Sequence, residues 1–528
     1  MEPQEQYHVI EEMYKGGEAC LKNDGYLSEF FPCGRGVRQG DVLSPILFNL
    51  YINDIPELFV EDKDSPMLGD RAIHCLLYAD DLILFSQTAN GLQEKLNKLN
   101  DYCNKWDLSV NTKKTEVMVL SNDNMYTPTE RFNIGGVEIN YVNYYKYLGI
   151  EVHKNIDMIQ SAENLCVRSW KAIFSLNTAF KGIDFDPAVK IKMFDKVVRP
   201  ITCYNSEIWG CFNNLHKSPN QTQFWNRVEK LPWENLQNKF CSNILGVSKR
   251  STKCAVMGEV GRFPLIIYIV KSMLKFYQHI KDPKNKRPLL DASYQEDSQL
   301  PTGLSWINNV KSILKIFDVP FNNNNVEWMI RQITHRMEQS FMHSWSAKMG
   351  SENDESGKLY ILRKIKKSFS YENYLSIIKS SKYRKAFTSI RVAAHKLEIE
   401  TGRWAKNKNG EKLDRSQRLC SLCKEVGIEN IGDEVHASIQ CKSFEKERKV
   451  LFKNINDKFP SFAGLNDQNK LLFLLSIEDK LLNEIARFIH QVLAKERKGP
   501  ILPKPTKYKR KIKKPQNKIS RVVSVSTK

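Results

Sequence analysis

Two adjacent carboxylates, Asp80 and Asp81, stand between short apolar runs, Cys75-Leu76-Leu77 before them and Leu82-Ile83-Leu84-Phe85 after. Runs of that length read as buried strands, and the residues between them as the tip of a hairpin that carries both acids. Paired carboxylates on a rigid turn offer hard oxygen ligands to a cation such as Mg²⁺. Aspartate is also a favoured turn residue, so the pair alone leaves open a metal site or an ordinary loop. A second set is more restrictive. Cys420, Cys423, His436 and Cys441 follow the spacing C-x₂-C-x₁₂-H-x₄-C. Two thiolates close together, then an imidazole and a third thiolate, supply four ligands for tetrahedral Zn²⁺.

The elements that must position the acids are legible on both sides. Upstream, Gly36-Val37-Arg38-Gln39-Gly40-Asp41-Val42-Leu43-Ser44-Pro45 precedes an apolar run through Ile52. Ser44 and Pro45 predict a helix start, with the Ser44 hydroxyl as N-cap and proline at the first helical position. The glycines let backbone approach a ligand closely. Downstream, Asn111-Thr112-Lys113-Lys114-Thr115 leads into the strand-like 116–120, followed by Tyr145-Lys146-Tyr147-Leu148-Gly149-Ile150. A lysine in such a turn is ordinarily solvated. Between these segments Leu92, Leu96, Leu99, Cys103 and Trp106 recur at helical spacing, which predicts an amphipathic helix over 90–106 covering the sheet.

Taken in this order, the four segments resemble the palm of a reverse transcriptase of the non-LTR retrotransposon (LINE) type. The resemblance implies that Asp80 and Asp81 hold catalytic Mg²⁺, with Asp80 the more critical. Two metals would clamp the attacking 3′ oxygen and the leaving pyrophosphate. It implies that Arg38, Gln39 and Gly40 lie near the incoming nucleotide and template, that Lys114 protonates the pyrophosphate, and that Tyr147, Leu148 and Gly149 form the primer grip. RNA template, DNA primer or target, and dNTPs are the partners it implies. The family also bridges its two metals with a further aspartate, placed well upstream of the Gly-Gln-Gly segment. Here the one aspartate before Gly36 is Asp24, in the hairpin turn signal Asn23-Asp24-Gly25. The expectation is therefore a chain that begins inside the palm, a truncated polymerase with an incomplete two-metal site, inactive alone. The alternative, of another class, is a non-catalytic nucleic-acid-binding protein derived from a retroelement. A group II intron maturase shares the Ala-Asp-Asp turn, but the C-terminal cysteine–histidine spacing and the segment from Arg391 to Arg403 speak against it.

The expected fold is α+β: a partial reverse-transcriptase palm (1–155, an antiparallel sheet with packed helices), a helical thumb (156–275) and a helical linker region (276–415). A CCHC-type zinc-binding module (416–446), C-terminal helices (447–498) and a disordered basic tail (499–528) complete it. Asp186-Pro187 predicts a helix start with Val189, Met193 and Val197 on one face; residues 280–305 and Asn322 to Asn325 read as loops. The segment from Tyr360 to Trp404 reads as helical and basic, with Arg391 and Arg403 as candidates for phosphate contact or for a solvated face. His395 reads as a packed or surface histidine, and Asp433 and Glu434 as acids placed to orient His436. Leu471, Leu472, Leu475 and Ile477 read as core.

A formal charge of +20 in 528 residues points to a polyanionic partner. Thirteen Lys or Arg against one Glu fall in 495–528, suited to phosphate contact or nuclear import. Twelve scattered cysteines read as reduced thiols. With no apolar run of membrane-spanning length, the expectation is an intracellular protein, in nucleus or cytoplasm as a ribonucleoprotein, with no membrane partner.

Overall fold

The apolar runs flanking the acids pair as their pattern predicts. In the computed structural model, which describes residues 3–34, 36–120, 129–155, 158–248, 251–284, 287–350, 357–406 and 410–495, strands Cys75–Tyr78 and Asp81–Leu84 lie antiparallel with Tyr78 opposite Asp81. Helix Ala89–Lys105 packs against them, started by Thr88, whose hydroxyl accepts from the Gly91 amide at 3.1 Å. Leu96, Leu99 and Cys103 on this helix share one buried cluster with Leu82, Val117, Phe132, Ile134 and Ile139. Each such large apolar side chain contributes about 1.5–3 kcal/mol on burial. Trp106 falls just past the helix and stays 37% exposed, so it does not extend the buried stripe.

The strands of this region form small separate sheets rather than one antiparallel layer. Hairpins run Lys22–Asn23 with Tyr26–Leu27, Met67–Leu68 with Arg71–Ala72, and Tyr144–Tyr147 with Ile150–His153. The three-stranded sheet joins Phe132–Ile134 antiparallel to Val137–Tyr141, which pairs in parallel with Glu116–Val117. The strand expected over 116–120 is paired only at those two residues, because its partner strand ends at Tyr141. Ser44 departs from expectation too. It is the first helical residue of Ser44–Tyr51, Leu43 holds the cap position without a side-chain bond, and the Ser44 hydroxyl instead donates to the Arg38 carbonyl at 2.6 Å.

The chain divides into two compact units, one holding described residues up to 158 with 288–296, the other those from 159 to 287 and from 297 onward. The second is helical. Helix Pro187–Met193 starts as expected, with Asp186 accepting from the Ala188 amide at 2.8 Å. A π-helical stretch, Phe194–Val198, follows, and the buried face runs through Pro187, Phe194 and Val198 while Val189 and Val197 are exposed. The expected loop over 280–305 contains helix Pro288–Gln299. Asn322 to Asn325 does form a turn, and Asn325 caps helix Val326–Met349. Trp209 is core, at 2% exposure.

From Tyr360 to Trp404 the chain is broken into short helices, and four of its cations turn inward while Lys367, Lys382, Lys385 and Lys396 stay exposed. Arg363, Lys366, Arg384 and Arg391 are all buried. Arg391 pairs with Glu259 at 2.9 Å and Glu372 at 2.6 Å and donates to the Leu475 carbonyl at 2.6 Å. Arg403 pairs with Glu400 at 2.7 Å. Arg391 is thus a structural tie, not a phosphate contact, because a cation this deep requires carboxylate partners. At the C-terminal end, helices Glu445–Lys458, Asp467–Ser476 and Leu482–Ala494 bury Leu471 and Leu475, with Leu472 and Ile477 partly covered. The basic tail lies outside the described residues. Among those described, no helix is long and apolar enough to cross a membrane.

Candidate functional site

The carboxylates stand at the tip of a two-residue turn because Tyr78 and Asp81 close the ladder, leaving Ala79 and Asp80 between them. Ala79 takes φ +51°. Asp80 is exposed and Asp81 half-buried. Burial pushes the Asp81 carboxyl above its ordinary range, the neighbouring Asp80 charge pushes the same way, and the Lys114 ammonium opposes both. An acid pair destabilised by its own proximity gains from a divalent cation, which removes the repulsion and replaces lost hydration with direct ligation. Lys114 belongs to the turn before strand Glu116–Val117, its amide bonded to the Asn111 carbonyl at 2.9 Å. The resemblance groups Lys114 with Asp80 and Asp81, and in the fold the Lys114 charge acts on Asp81.

The hairpin Tyr144–Tyr147 with Ile150–His153 approaches from the side. Burial raises the Tyr147 hydroxyl, and the Asp81 and Tyr78 charges add to the shift. Tyr147 lines the same cavity as Leu82, Ile83 and Leu84 of the acidic hairpin. Between the two hairpins and helix Ala89–Lys105 lies an apolar cavity of about 330 Å³, bordered by Leu82, Leu96, Val117, Tyr145 and Tyr147. At the turn, Leu148 and Gly149 take φ +44° and +86° between paired Tyr147 and Ile150.

Arg38, Gln39 and Gly40 form an exposed loop. The Arg38 guanidinium donates to the Met13 carbonyl at 2.7 Å and lies over the Tyr14 ring, 5.3 Å from its centroid. Tyr14 also donates to Asp41 at 2.9 Å, and this bond first, then that of the Leu43 amide, holds the Asp41 carboxyl below its ordinary value. Tyr14 is therefore the prop of this loop, a role the sequence carries no signal for. Gly40 has φ +89° and open space where a side chain would begin.

Far along the chain, Cys420, Cys423, His436 and Cys441 converge, all buried, with their donor atoms within 4.8 Å of one another. Cys423 Sγ lies 3.7 Å from Cys441 Sγ and 3.3 Å from His436 Nε2. Sulfurs on a tetrahedral zinc at about 2.3 Å would stand roughly 3.8 Å apart, so the donor set fits such an ion. Hydrogen bonding from Cys441 pulls the Cys420 thiol down, with His436 helping; Cys441 is correspondingly pushed up by Cys420, as expected where several sulfurs share one charge. Neither neighbouring acid orients the His436 ring. Asp433 accepts from the His436 backbone amide at 2.9 Å, Glu434 pairs with His395 Nε2 at 2.9 Å, and His436 Nδ1 has no hydrogen-bond partner. Burial works against the Glu434 charge, but the bond and charge of His395 hold its carboxyl low. His395 is thus packed, not a ligand.

Residues 2–152 match the family described as reverse transcriptase (RNA-dependent DNA polymerase). The chain is 34% identical over 148 residues to the Retrovirus-related Pol polyprotein from type-2 retrotransposable element R2DM of Drosophila melanogaster, covering 27% of this chain and 14% of that protein. It is 23% identical over 244 residues to the RNA-directed DNA polymerase from mobile element jockey of the same species, covering 44% and 26%. Against the Retrovirus-related Pol polyprotein from type-1 retrotransposable element R2 of Nasonia vitripennis, identity is 28% over 171 residues, covering 31% and 16%. The chain therefore spans about a quarter or less of the length of these relatives. Its N-terminal part is thus similar to the reverse transcriptase family and to the polymerases of these mobile elements.

Proposed function

We propose that this chain is part of an RNA-directed DNA polymerase of a non-LTR retrotransposon, with Asp80 and Asp81 as its divalent-cation ligands. One observation carries this reading: two adjacent carboxylates, one exposed and one half-buried, at a hairpin tip beside Tyr147 and under the influence of Lys114. Mg²⁺ bound there would polarise phosphate oxygens and steady an attacking hydroxyl. Lys114 would meet the departing pyrophosphate. The open backbone at Gly40, with Gln39 and Arg38, would face nucleotide and template, and the turn at Leu148 and Gly149 would hold the primer end. RNA template, DNA and dNTPs are the ligands, met inside the cell as a ribonucleoprotein in the nucleus or cytoplasm. The cysteine–histidine cluster would hold one Zn²⁺ as a structural centre of the C-terminal unit.

A second reading follows from the carboxylates identified at the hairpin tip, which are two, Asp80 and Asp81. Two acids hold a cation less firmly than three. On this reading the same residues bind primer and template without catalysing synthesis. Primer extension on an RNA template, run beside a binding titration, separates the two. Extension by the 528-residue polypeptide that disappears in Asp80→Ala supports the polymerase. Tight primer–template binding with no extension by either protein supports the binding protein, and neither binding nor extension contradicts both.

For zinc, metal analysis of the whole chain should give one ion per protein and none in Cys420→Ser/Cys423→Ser. Equal zinc in both removes the site.

A further inference from the structure

The helix that covers the acidic hairpin carries a lysine on its buried face. Lys95 is 0% exposed. Its ammonium donates to Ser65 Oγ at 2.7 Å and to the Phe85 carbonyl, and lies 3.5 Å from Asp62 Oδ2. These partners converge on the foot of the hairpin. Phe85 follows strand Asp81–Leu84 directly, and its amide donates to the His74 carbonyl at 2.9 Å, closing the ladder just before Cys75. Ser65 reaches the other strand: its hydroxyl is hydrogen-bonded to His74 Nδ1 at 2.7 Å. An ammonium has no lone pair to offer, so Ser65 accepts from Lys95 and gives its own proton to His74. Burial first, then the Lys95 charge, lowers the His74 imidazole, in keeping with a neutral ring that accepts there.

The same loop clamps the chain leaving the hairpin. Asp64 accepts from the Thr88 amide at 3.1 Å and the Thr88 hydroxyl at 3.0 Å, and Ser86 also bonds it. Its backbone carbonyl takes the Gln87 amide at 2.8 Å. The Asp64 carboxylate occupies the space that any side chain at Gly91 would need. A buried lysine is costly unless paired and hydrogen-bonded, and this one is satisfied by groups from both feet of one hairpin.

We propose that Lys95, with Asp62 and Ser65, is a positioning cluster that fixes the Asp80–Asp81 hairpin from its base and thereby sets how well the two carboxylates hold a divalent cation. Lys95 touches neither acid; it acts through the ladder it anchors. The proposal rests on the reading that Asp80 and Asp81 bind a cation, so its test carries a readout that does not need the metal.

The experiment compares the full chain with Lys95→Met/Asp62→Leu, which removes both buried charges together, and with Ser65→Ala, which cuts the bridge to His74. Replacing a buried pair by apolar side chains leaves stability roughly unchanged, so cooperative melting should stay close to that of the parent. Mn²⁺ affinity, read by water-proton relaxation, should weaken about tenfold or more in the double variant, and less in Ser65→Ala. Amide exchange over 75–85 should speed up in both, with the rest of helix Ala89–Lys105 unaffected. Unchanged Mn²⁺ affinity together with unchanged exchange would overturn the proposal. Absence of Mn²⁺ binding by the parent would sink the cation reading instead, and exchange over 75–85 would still decide whether Lys95 fixes the hairpin. Should the double variant fail to fold, Ser65→Ala answers the same question.

Discussion

Leu148 is held in a conformation that its side chain does not favour. With φ +44°, followed by Gly149 at +86°, it makes the kind of hairpin turn that selects Asn-Gly. A side chain with a Cβ costs about 1–2 kcal/mol in the left-handed region, and asparagine tolerates it best. Leucine there, 37% exposed, is explained if its apolar surface meets a ligand. Leu148→Asn should therefore stabilise the protein by about 0.5–1 kcal/mol in denaturant titration while weakening primer–template binding several-fold. Stabilisation without a change in binding would remove the turn from the primer site. Asp81 gives a pH test. Its carboxyl is raised by burial and by Asp80, and only the ionised form ligates. Cation affinity should fall as pH drops through a range above the ordinary aspartate value of about 3.9, with protons released on binding. An affinity that stays flat down to that value would contradict the shift. At this scale the spacing of Asp80 and Asp81 and of Cys420, Cys423, His436 and Cys441 marked two candidate sites in the sequence, whereas Lys114 was suggested only by the family resemblance. The sequence did not show Tyr14 or Lys95, since a tyrosine or lysine on a helix carries no mark of what it will meet across 27 or 30 residues of chain.

Among the elements, helix Leu265–Lys281 depends on a distant cap. Glu234, wholly buried, accepts from the Leu265 and Ile266 amides at 3.1 and 2.8 Å. Burial pushes its carboxyl up to about 7. In the unfolded chain the group ionises near 4.5, so between these values the folded state holds a proton that the unfolded state has released. Stability from this group is full below the lower value and is lost as pH rises through the upper one. Glu234→Gln keeps an acceptor but cannot titrate, so its melting temperature should vary less between about pH 4.5 and 7. Equal pH dependence in both proteins would refute the assignment. The element boundaries show where pattern reading fails. Helix Ala89–Lys105 and the acidic hairpin followed from periodicity and turn chemistry alone. The face of helix Pro187–Met193 did not, because the core takes the neighbouring stripe of Pro187, Ile191, Phe194 and Val198, which has the same helical spacing as the stripe through Val189. Helix Pro288–Gln299 was hidden because it buries no residue and so has no apolar stripe to read. Lys366, Arg384 and Arg391 read as part of a basic stretch because their partners, Glu372, Asp184 and Glu259, lie from a few residues to about two hundred away in sequence, while Lys367, Lys382 and Lys385 do stay exposed.

For the molecule as a whole, the inward turn of those arginines and lysines changes where its +20 charge can act. Less of it is available on the 363–391 segment, which leaves a larger share of the phosphate-binding potential to the tail. Ten Lys or Arg lie between Lys504 and Lys528. If about half engage single-stranded nucleic acid at once, deleting 500–528 should flatten the slope of log affinity against log salt by about 3. Preference among sequences should hardly move, since phosphate contacts do not read bases. An unchanged slope would return the electrostatic role to the folded part. The polymerase reading presupposes that the acidic hairpin is a cation site, and one titration tests that directly. Mn²⁺ added to the full chain, followed by water-proton relaxation, should reveal a bound ion that Asp80→Asn/Asp81→Asn fails to hold, with both proteins melting alike. Identical Mn²⁺ binding by the parent and the double variant, or none by either, would mean that Asp80 and Asp81 are ordinary turn residues.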